Sequence, residues 1–241
     1  MRQEKLRTYR IFPALALCAT LLTCLSVLGH LISQTQPQLS WLYPGQLQRL
    51  LDINGEGNLV AWYTSSLWLT FALTALTLGL LTRQVRLFLP LVLIGFFASA
   101  DETAMFHEIV KDLGHQLPAS WAVTSPAWPW VYLGAPLAFL LAFLSLPTLQ
   151  ALPPLIRYRL YLAGVLFLSS SLVLDTLSGL VSQAETREEI PLYLALTHAE
   201  EFGEMLAIAL ALSGLVSLLI WNRDEGQLRA HALLRQPSSG Q

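Results

Sequence analysis

The chain has 241 residues, of which 54% are hydrophobic and 12% are charged, and its formal net charge is −2. Soluble domains carry about 25% charged residues, so this composition excludes an ordinary soluble domain and predicts an integral membrane protein. No basic stretch indicates nucleic-acid binding. Cys18 and Cys24 lie in the first apolar run, and we interpret them as unpaired membrane-embedded side chains rather than as a disulfide.

Six apolar segments are long enough to cross a bilayer, which takes about 20 residues. In chain order they are residues 11–33, 59–82, 87–108, 129–149, 158–181 and 192–221. The predicted fold class is therefore all-α: one polytopic bundle of six transmembrane helices over residues 1–221, followed by a polar tail at 222–241. The first segment is too long for the apolar core of a signal peptide, so we predict an uncleaved span.

Lysine and arginine are divided unevenly between the two sides of the membrane on which the loops and termini of the six predicted spans lie. Eleven of them fall on one side, and Arg49, Lys111 and Arg187 fall on the other. Because basic residues favour the cytoplasmic side, we expect both termini in the cytoplasm. The expected partners are membrane lipids and, as an open possibility, another membrane protein.

The ionisable residues inside the predicted spans collect at one level, toward the extracytoplasmic ends. They are Asp101, Glu102, His107 and Glu108 in the third span, Asp175 in the fifth, and His198, Glu200, Glu201 and Glu204 in the sixth. A charged residue at the centre of a span costs about 2.5–3.5 kcal/mol. Such residues are therefore candidates for function, and their convergence from three spans predicts a common site.

Carboxylates and imidazoles together are ligands that zinc, iron and manganese accept. We therefore predict a divalent metal ion held by Asp101, Glu102, His107, Glu108, His198 and Glu201, with Glu204 and Asp175 as catalytic groups. A metal-dependent hydrolase or oxidoreductase acting on a lipid-like substrate would fit this set, with the metal activating water or dioxygen. Three alternatives stay open: side chains solvated at the water boundary, a proton- or cation-coupled transporter, and a non-catalytic subunit or assembly factor of a membrane complex.

The segment DINGEGNL at 52–59 matches several positions of a calcium-binding EF-hand loop. Tyr63 stands where the last ligand should be a glutamate, and no preceding helix is evident. We favour a glycine-rich turn into the second span, with Asn58 or Glu56 near the start of that helix. From there Asp52 or Glu56 could reach the same site.

The third and sixth spans carry the patterns Asp-Glu-x-x-x-x-His-Glu at 101–108 and His-x-Glu-Glu-x-x-Glu at 198–204. Together with the segment 52–58 and Trp62 behind it, these patterns resemble a group of uncharacterised bacterial membrane proteins with six spans. The resemblance covers residues 50–108 and 198–204 best. It implies the six-helix fold, a location in the bacterial inner (plasma) membrane, and no particular activity.

A more distant similarity is to the membrane hydrolases of the alkaline ceramidase and adiponectin-receptor superfamily, which hold zinc inside a helical bundle. That resemblance would assign a zinc-dependent site to Ser65 or Ser66 with Asp101 and His198. The chain departs from the pattern in its last helix, where the second histidine of His-x-x-x-His is absent and glutamates follow His198 instead.

Overall fold

The computed structural model describes residues 11–35, 37–39, 41, 44–107, 109, 131–182, 191–222 and 227–230. The long helices are α1 (Phe12–Thr35), α3 (Leu59–Thr82), α4 (Val85–Ala104), α5 (Val131–Ala151), α6 (Pro154–Leu168) and α8 (Pro191–Val216). The shorter elements are a 3-10 turn (Pro37–Leu39), α2 (Gly45–Leu51), α7 (Asp175–Ser182), and the strands β1 (Leu219–Asn222) and β2 (Gln227–Ala230). A π turn at Ser169–Leu174 joins α6 to α7, so that one helix runs from residue 154 to residue 182.

Five helical segments in the described ranges are long and apolar enough to cross a membrane, namely α1, α3, α4, α5 and the continuous α6–α7 helix. Each coincides with a predicted span to within a few residues. The sixth predicted span corresponds to α8, which has 26 residues but contains Glu200, Glu201 and Glu204. The protein is therefore a helical membrane protein in which one acid-bearing helix packs against α1, α3 and α6.

The prediction of an all-helical chain is wrong near the C-terminus. The last helix ends at Val216 rather than at residue 221, and Leu219–Asn222 pairs with Gln227–Ala230 as an antiparallel hairpin. Ile220 and Trp221 are residues that favour strands over helices. The apolar run that predicted a longer span therefore divides between a helix and a strand.

Helix α4 corresponds to the third predicted span, at 87–108. It also ends earlier than predicted, at Ala104 instead of residue 108. Met105 adopts a left-handed conformation with φ of 55° and donates its N–H to the carbonyl of Asp101. A left-handed residue at this point is a common helix stop. His107 therefore lies beyond the end of α4.

The two ends of the bundle differ in how they are packed. We call the end with β1 and β2 the hairpin end, and the end where α3 begins, after residues 52–58, the loop end. Large apolar side chains from α3, α4, α6, α8 and the turn after α8 are fully buried toward the hairpin end: Leu78, Phe88, Ile156, Leu215 and Leu218. The larger apolar core therefore lies toward the hairpin end, and a smaller apolar cluster of Ala19, Ile53, Val60 and Met205 lies near the loop end.

A close approach of α3 and α4 depends on Gly95. A Cβ atom at this position would lie 2.8 Å from the Cβ of Ala72 and 2.9 Å from the backbone oxygen of Trp68. Small residues allow membrane helices to pack at such distances. This contact fixes α4 against α3 and thereby positions the acids at the end of α4.

Candidate functional site

A cavity of about 1040 Å³ lies within the bundle and is lined by α3, α4, α5, the α6–α7 helix and α8. The ionisable residues on its wall are Glu56, Asp101, Glu102, His107, Asp175, Glu200, Glu201 and Glu204. They come from the loop before α3, from α4, from α7 and from α8. Helices that are far apart in the sequence thus bring their acids to one space.

The cavity contains six of the eight residues that the sequence predicts for a site. These are Asp101, Glu102, His107, Asp175, Glu201 and Glu204. Glu108 lies outside the described residues, and His198 does not line the cavity. Their metal-binding and catalytic roles stay predictions, whereas their common location is a property of the structure.

His107 lies between two carboxylates at the loop end of the cavity. Its Nδ1 is 3.1 Å from Oδ2 of Asp101, and its Nε2 is 3.3 Å from Oε1 of Glu56. The other oxygen of Asp101 accepts the backbone N–H of His107 at 2.9 Å. One carboxylate therefore holds both the backbone and the ring, and the ring joins the end of α4 to the loop before α3.

These contacts favour the protonated imidazole, because both ring nitrogens face acceptors. Hydrogen bonds to Asp101 first and to Glu56 second raise the pKa of His107 to about 10, against the opposing effect of burial. A histidine with a raised pKa stabilises the fold fully below its unfolded pKa of about 6.5, and loses that contribution as the pH rises through the folded value. The contact between the loop and α4 should therefore weaken only in alkaline solution.

We expect this titration to depend on the two carboxylates unequally. Asp101→Asn should lower the pKa of His107 toward 6.5 further than Glu56→Gln does, because the hydrogen bond to Asp101 is the larger cause of the shift. The pKa can be followed by NMR of the imidazole carbon in protein labelled at histidine. A pKa that stays near 6.5 in the unmodified protein would contradict this geometry.

The loop that carries Glu56 is held in place by Asn58 and by Asp52. The side chain of Asn58 accepts the N–H groups of Val60 and Ala61, so it caps α3 as predicted. Its amide donates to the backbone oxygen of Asp52 at 2.6 Å. Gly57 completes the turn with φ of 63°, which a glycine adopts without strain.

The loop departs from one expectation, because α2 (Gly45–Leu51) is a helix directly before it. The segment nevertheless lacks the last ligand of an EF-hand. The hydroxyl of Tyr63 donates to the carbonyl of Leu15 in α1 at 2.7 Å, away from the loop. Glu56, which the sequence offered as one of two candidates, is the loop residue that contacts His107.

His198 has a different place, between α8, α1 and the loop. Its Nδ1 is 2.7 Å from the carbonyl oxygen of Leu194, so this nitrogen carries the proton. Its Nε2 then accepts the hydroxyl of Ser26 at 3.1 Å, and the oxygen of Ser26 accepts the N–H of Ile53. His198 thereby anchors the loop from behind while Glu56 faces the cavity.

Four glutamates on the cavity wall make no hydrogen bond or ion pair with any residue that the structure describes: Glu102, Glu200, Glu201 and Glu204. These four side chains are half-buried, and removing a polar group from water without a partner costs free energy. His107 is the one basic side chain of the described cavity wall, and Asp101 and Glu56 already contact it. The wall thus carries an excess of carboxyl groups over basic partners.

Within the ranges that the structure describes, no three histidine, cysteine or acidic side chains lie close enough to hold a metal ion. The acids face the same space but are spread along its wall. A divalent metal ligated by this set stays a prediction from the sequence, and one of its predicted ligands, Glu108, falls outside the described residues.

Most of the remaining wall of the cavity is apolar, although it also contains Asn54, Ser145, Ser171, Ser178 and Thr197. It includes Trp68, Phe71, Leu91, Leu149, Leu160, Ala163, Ile208 and Ala211. These side chains border the core at the hairpin end. Sequence inspection did not identify them as part of a site, because apolar residues of a span carry no signal that separates a cavity wall from a packed core.

Among curated proteins and solved structures, none matches this chain. A family model matches residues 11–218, which include all the long helices and the whole wall of the cavity. The chain belongs to the family described as a domain of unknown function, DUF8692.

Proposed function

We propose that this membrane protein binds a cationic ligand at the acidic end of its intramembrane cavity. The observation that carries the proposal is the set of four cavity-lining glutamates without a protein partner among the described residues. Carboxylates that share a low-dielectric space repel one another unless a cation joins them. A positively charged ligand would supply the partner that the described residues do not.

The charge of the described part of the wall supports the same conclusion. Among the described residues, one base, His107, lines the cavity together with seven acidic side chains: Glu56, Asp101, Glu102, Asp175, Glu200, Glu201 and Glu204. Low-dielectric walls concentrate the field of such a cluster and favour ligands of the opposite sign. Catalysis by a metal on a lipid-like substrate is a narrower prediction that this proposal does not require.

We also propose that the acidic end faces away from the cytoplasm. Of the described arginines outside the cavity, Arg49 lies at the loop end, and the others lie toward the hairpin end: Arg83, Arg86, Arg157, Arg159 and Arg229. Basic residues favour the cytoplasmic side of a membrane. A ligand would therefore reach the carboxylates from the extracytoplasmic leaflet.

The proposal can be tested by the thermal stability of the protein in nanodiscs. Tetramethylammonium chloride and manganese chloride, each compared with sodium chloride at equal ionic strength, serve as the organic and the metallic cation. Because a ligand that binds the folded state raises its unfolding temperature, we expect at least one of the two to stabilise the protein beyond sodium.

The matched variants are Glu102→Gln and Asp52→Asn. Both remove one acid near the loop end, but Glu102 lines the cavity whereas Asp52 does not. We expect Glu102→Gln to reduce the response to the cation and Asp52→Asn to preserve it. If neither cation stabilises the protein beyond sodium, the proposed function is wrong.

A further inference from the structure

The cavity has two chemically different parts. Toward the loop end its wall is acidic, and toward the hairpin end it consists mainly of aliphatic and aromatic side chains of α3, α5, α6 and α8, with Ser145 as a polar exception. Trp68 and Phe167 meet edge to face across this apolar part with ring centroids 5.2 Å apart. A small hydrated cation would contact the first part and leave the second without a matching ligand.

The apolar part extends far along the helices. Gly164 and Asp175 both line the cavity on the α6–α7 helix, and their separation of eleven residues corresponds to about 16 Å of helix. On α8, Ala211 lies about 10 Å beyond Glu204 by the same rise. The cavity thus runs through roughly half of the hydrocarbon thickness of a bilayer, which is about 30 Å.

Ligand sites usually combine a largely apolar wall with a few polar groups that orient the ligand. Here the polar groups lie at one end and carry the same sign of charge. We infer, on the basis of the proposed function, that the ligand is a cationic amphiphile, with an ammonium head among the carboxylates and a hydrocarbon chain along the apolar wall.

The side of the cavity formed by α6 offers a site to test this inference. A Cβ atom added to Gly164 would meet no atom within 4 Å, so a larger side chain can enter the open space beside the wall. Leu162 lies on the same helix, is exposed and does not line the cavity. Gly164→Phe therefore obstructs the place assigned to the chain, and Leu162→Phe is its matched control.

The experiment measures binding to the protein in nanodiscs by the shift of its unfolding temperature. The probes are dodecyltrimethylammonium, tetramethylammonium and dodecanoate, which present head and chain, head alone, and chain with a negative head. We expect Gly164→Phe to lower the affinity for dodecyltrimethylammonium about tenfold or more, because the introduced ring occupies the space assigned to the hydrocarbon chain. Tetramethylammonium should be unaffected, and Leu162→Phe should change neither affinity.

Partition of the long probe into lipid is the same for all variants, so the comparison between variants isolates the cavity. Ala138→Phe, on the facing wall in α5, repeats the test if Gly164→Phe does not fold. The inference is overturned if both obstructing variants bind dodecyltrimethylammonium as the unmodified protein does, or if manganese is the only cation that binds. Either result leaves the proposed function standing, whereas tighter binding of dodecanoate than of dodecyltrimethylammonium would contradict both.

Discussion

Replacing Glu201 and Glu204 together by glutamine should abolish the response to cations while making the ligand-free protein more stable. The two residues lie one turn apart on α8, and both face the cavity. Their carboxylates repel each other and the neighbouring Glu102 in the absence of a ligand. Glutamine keeps the shape of the glutamate side chain and removes its charge. The substitution therefore removes the repulsion between the carboxylates and also their attraction for a cation.

The expected loss of affinity is large. Removing one partner of a buried charge pair costs about 2–5 kcal/mol of binding, which corresponds to roughly 30-fold to several thousandfold in the dissociation constant. Thermal unfolding of the unmodified and doubly substituted proteins, with and without tetramethylammonium, measures both effects. A double variant that is less stable without ligand and still responds to the cation would show that the two glutamates have a structural role instead.

Gly95→Ala should destabilise the bundle, because the added methyl group would meet backbone atoms rather than the end of a movable side chain. The new methyl group would meet the backbone of Trp68 and the backbone and Cβ of Ala72, all within 3.0 Å. Backbone atoms cannot rotate away, so α3 and α4 must separate. Overpacking of this kind costs about 1–3 kcal/mol.

Such a cost lowers the unfolding temperature by about 2–4 °C per kcal/mol for a chain of this size. The matched control is Gly164→Ala, because its new methyl group meets no atom within 4 Å. Alanine favours helices over glycine by up to about 1 kcal/mol, so the control should be as stable as the unmodified protein or more stable. Equal unfolding temperatures for the two variants would contradict the close packing of α3 against α4.

The length of each apolar segment was enough to locate the long helices, because a segment of about 20 apolar residues crosses a bilayer as a helix. The segment predicted at 59–82 agrees with α3 at both ends. The end of α4 was missed because Met105 adopts a left-handed conformation without being glycine. The hairpin at Leu219–Ala230 was missed because its apolar residues continue the composition of the preceding helix.

The sequence indicated that these acids lie at one level, because the direction of each span sets the depth of its residues. Asp101, Asp175 and Glu201 line one cavity in the structure, but they are spread along its wall. The roles of the two histidines could not be separated from the sequence. His107 leaves the helix and reaches the cavity, whereas His198 turns to Ser26 and the carbonyl of Leu194. Which way a ring turns is decided by tertiary contacts and not by helical spacing.

The π turn is a further feature that the sequence did not reveal. It occupies Ser169–Leu174, directly before Asp175. A π turn shifts the register of the helix that follows it, and such turns often occur at functional sites. Ser170, within the turn, packs so closely on α8 that a Cβ atom at Gly203 would lie 2.2 Å from its hydroxyl oxygen. The turn thereby accommodates α8 and orients Asp175 toward the cavity.

Chemical labelling tests most directly whether acids from α4 and α8 share one cavity with a cationic amphiphile. Dicyclohexylcarbodiimide is an apolar reagent that modifies membrane-embedded carboxyl groups, and mass spectrometry locates each adduct. We predict labelling at Glu102, Glu201 and Glu204 that dodecyltrimethylammonium suppresses at all three positions over the same range of concentration. Labelling that persists at any of the three while the ligand protects the others would contradict a single shared site.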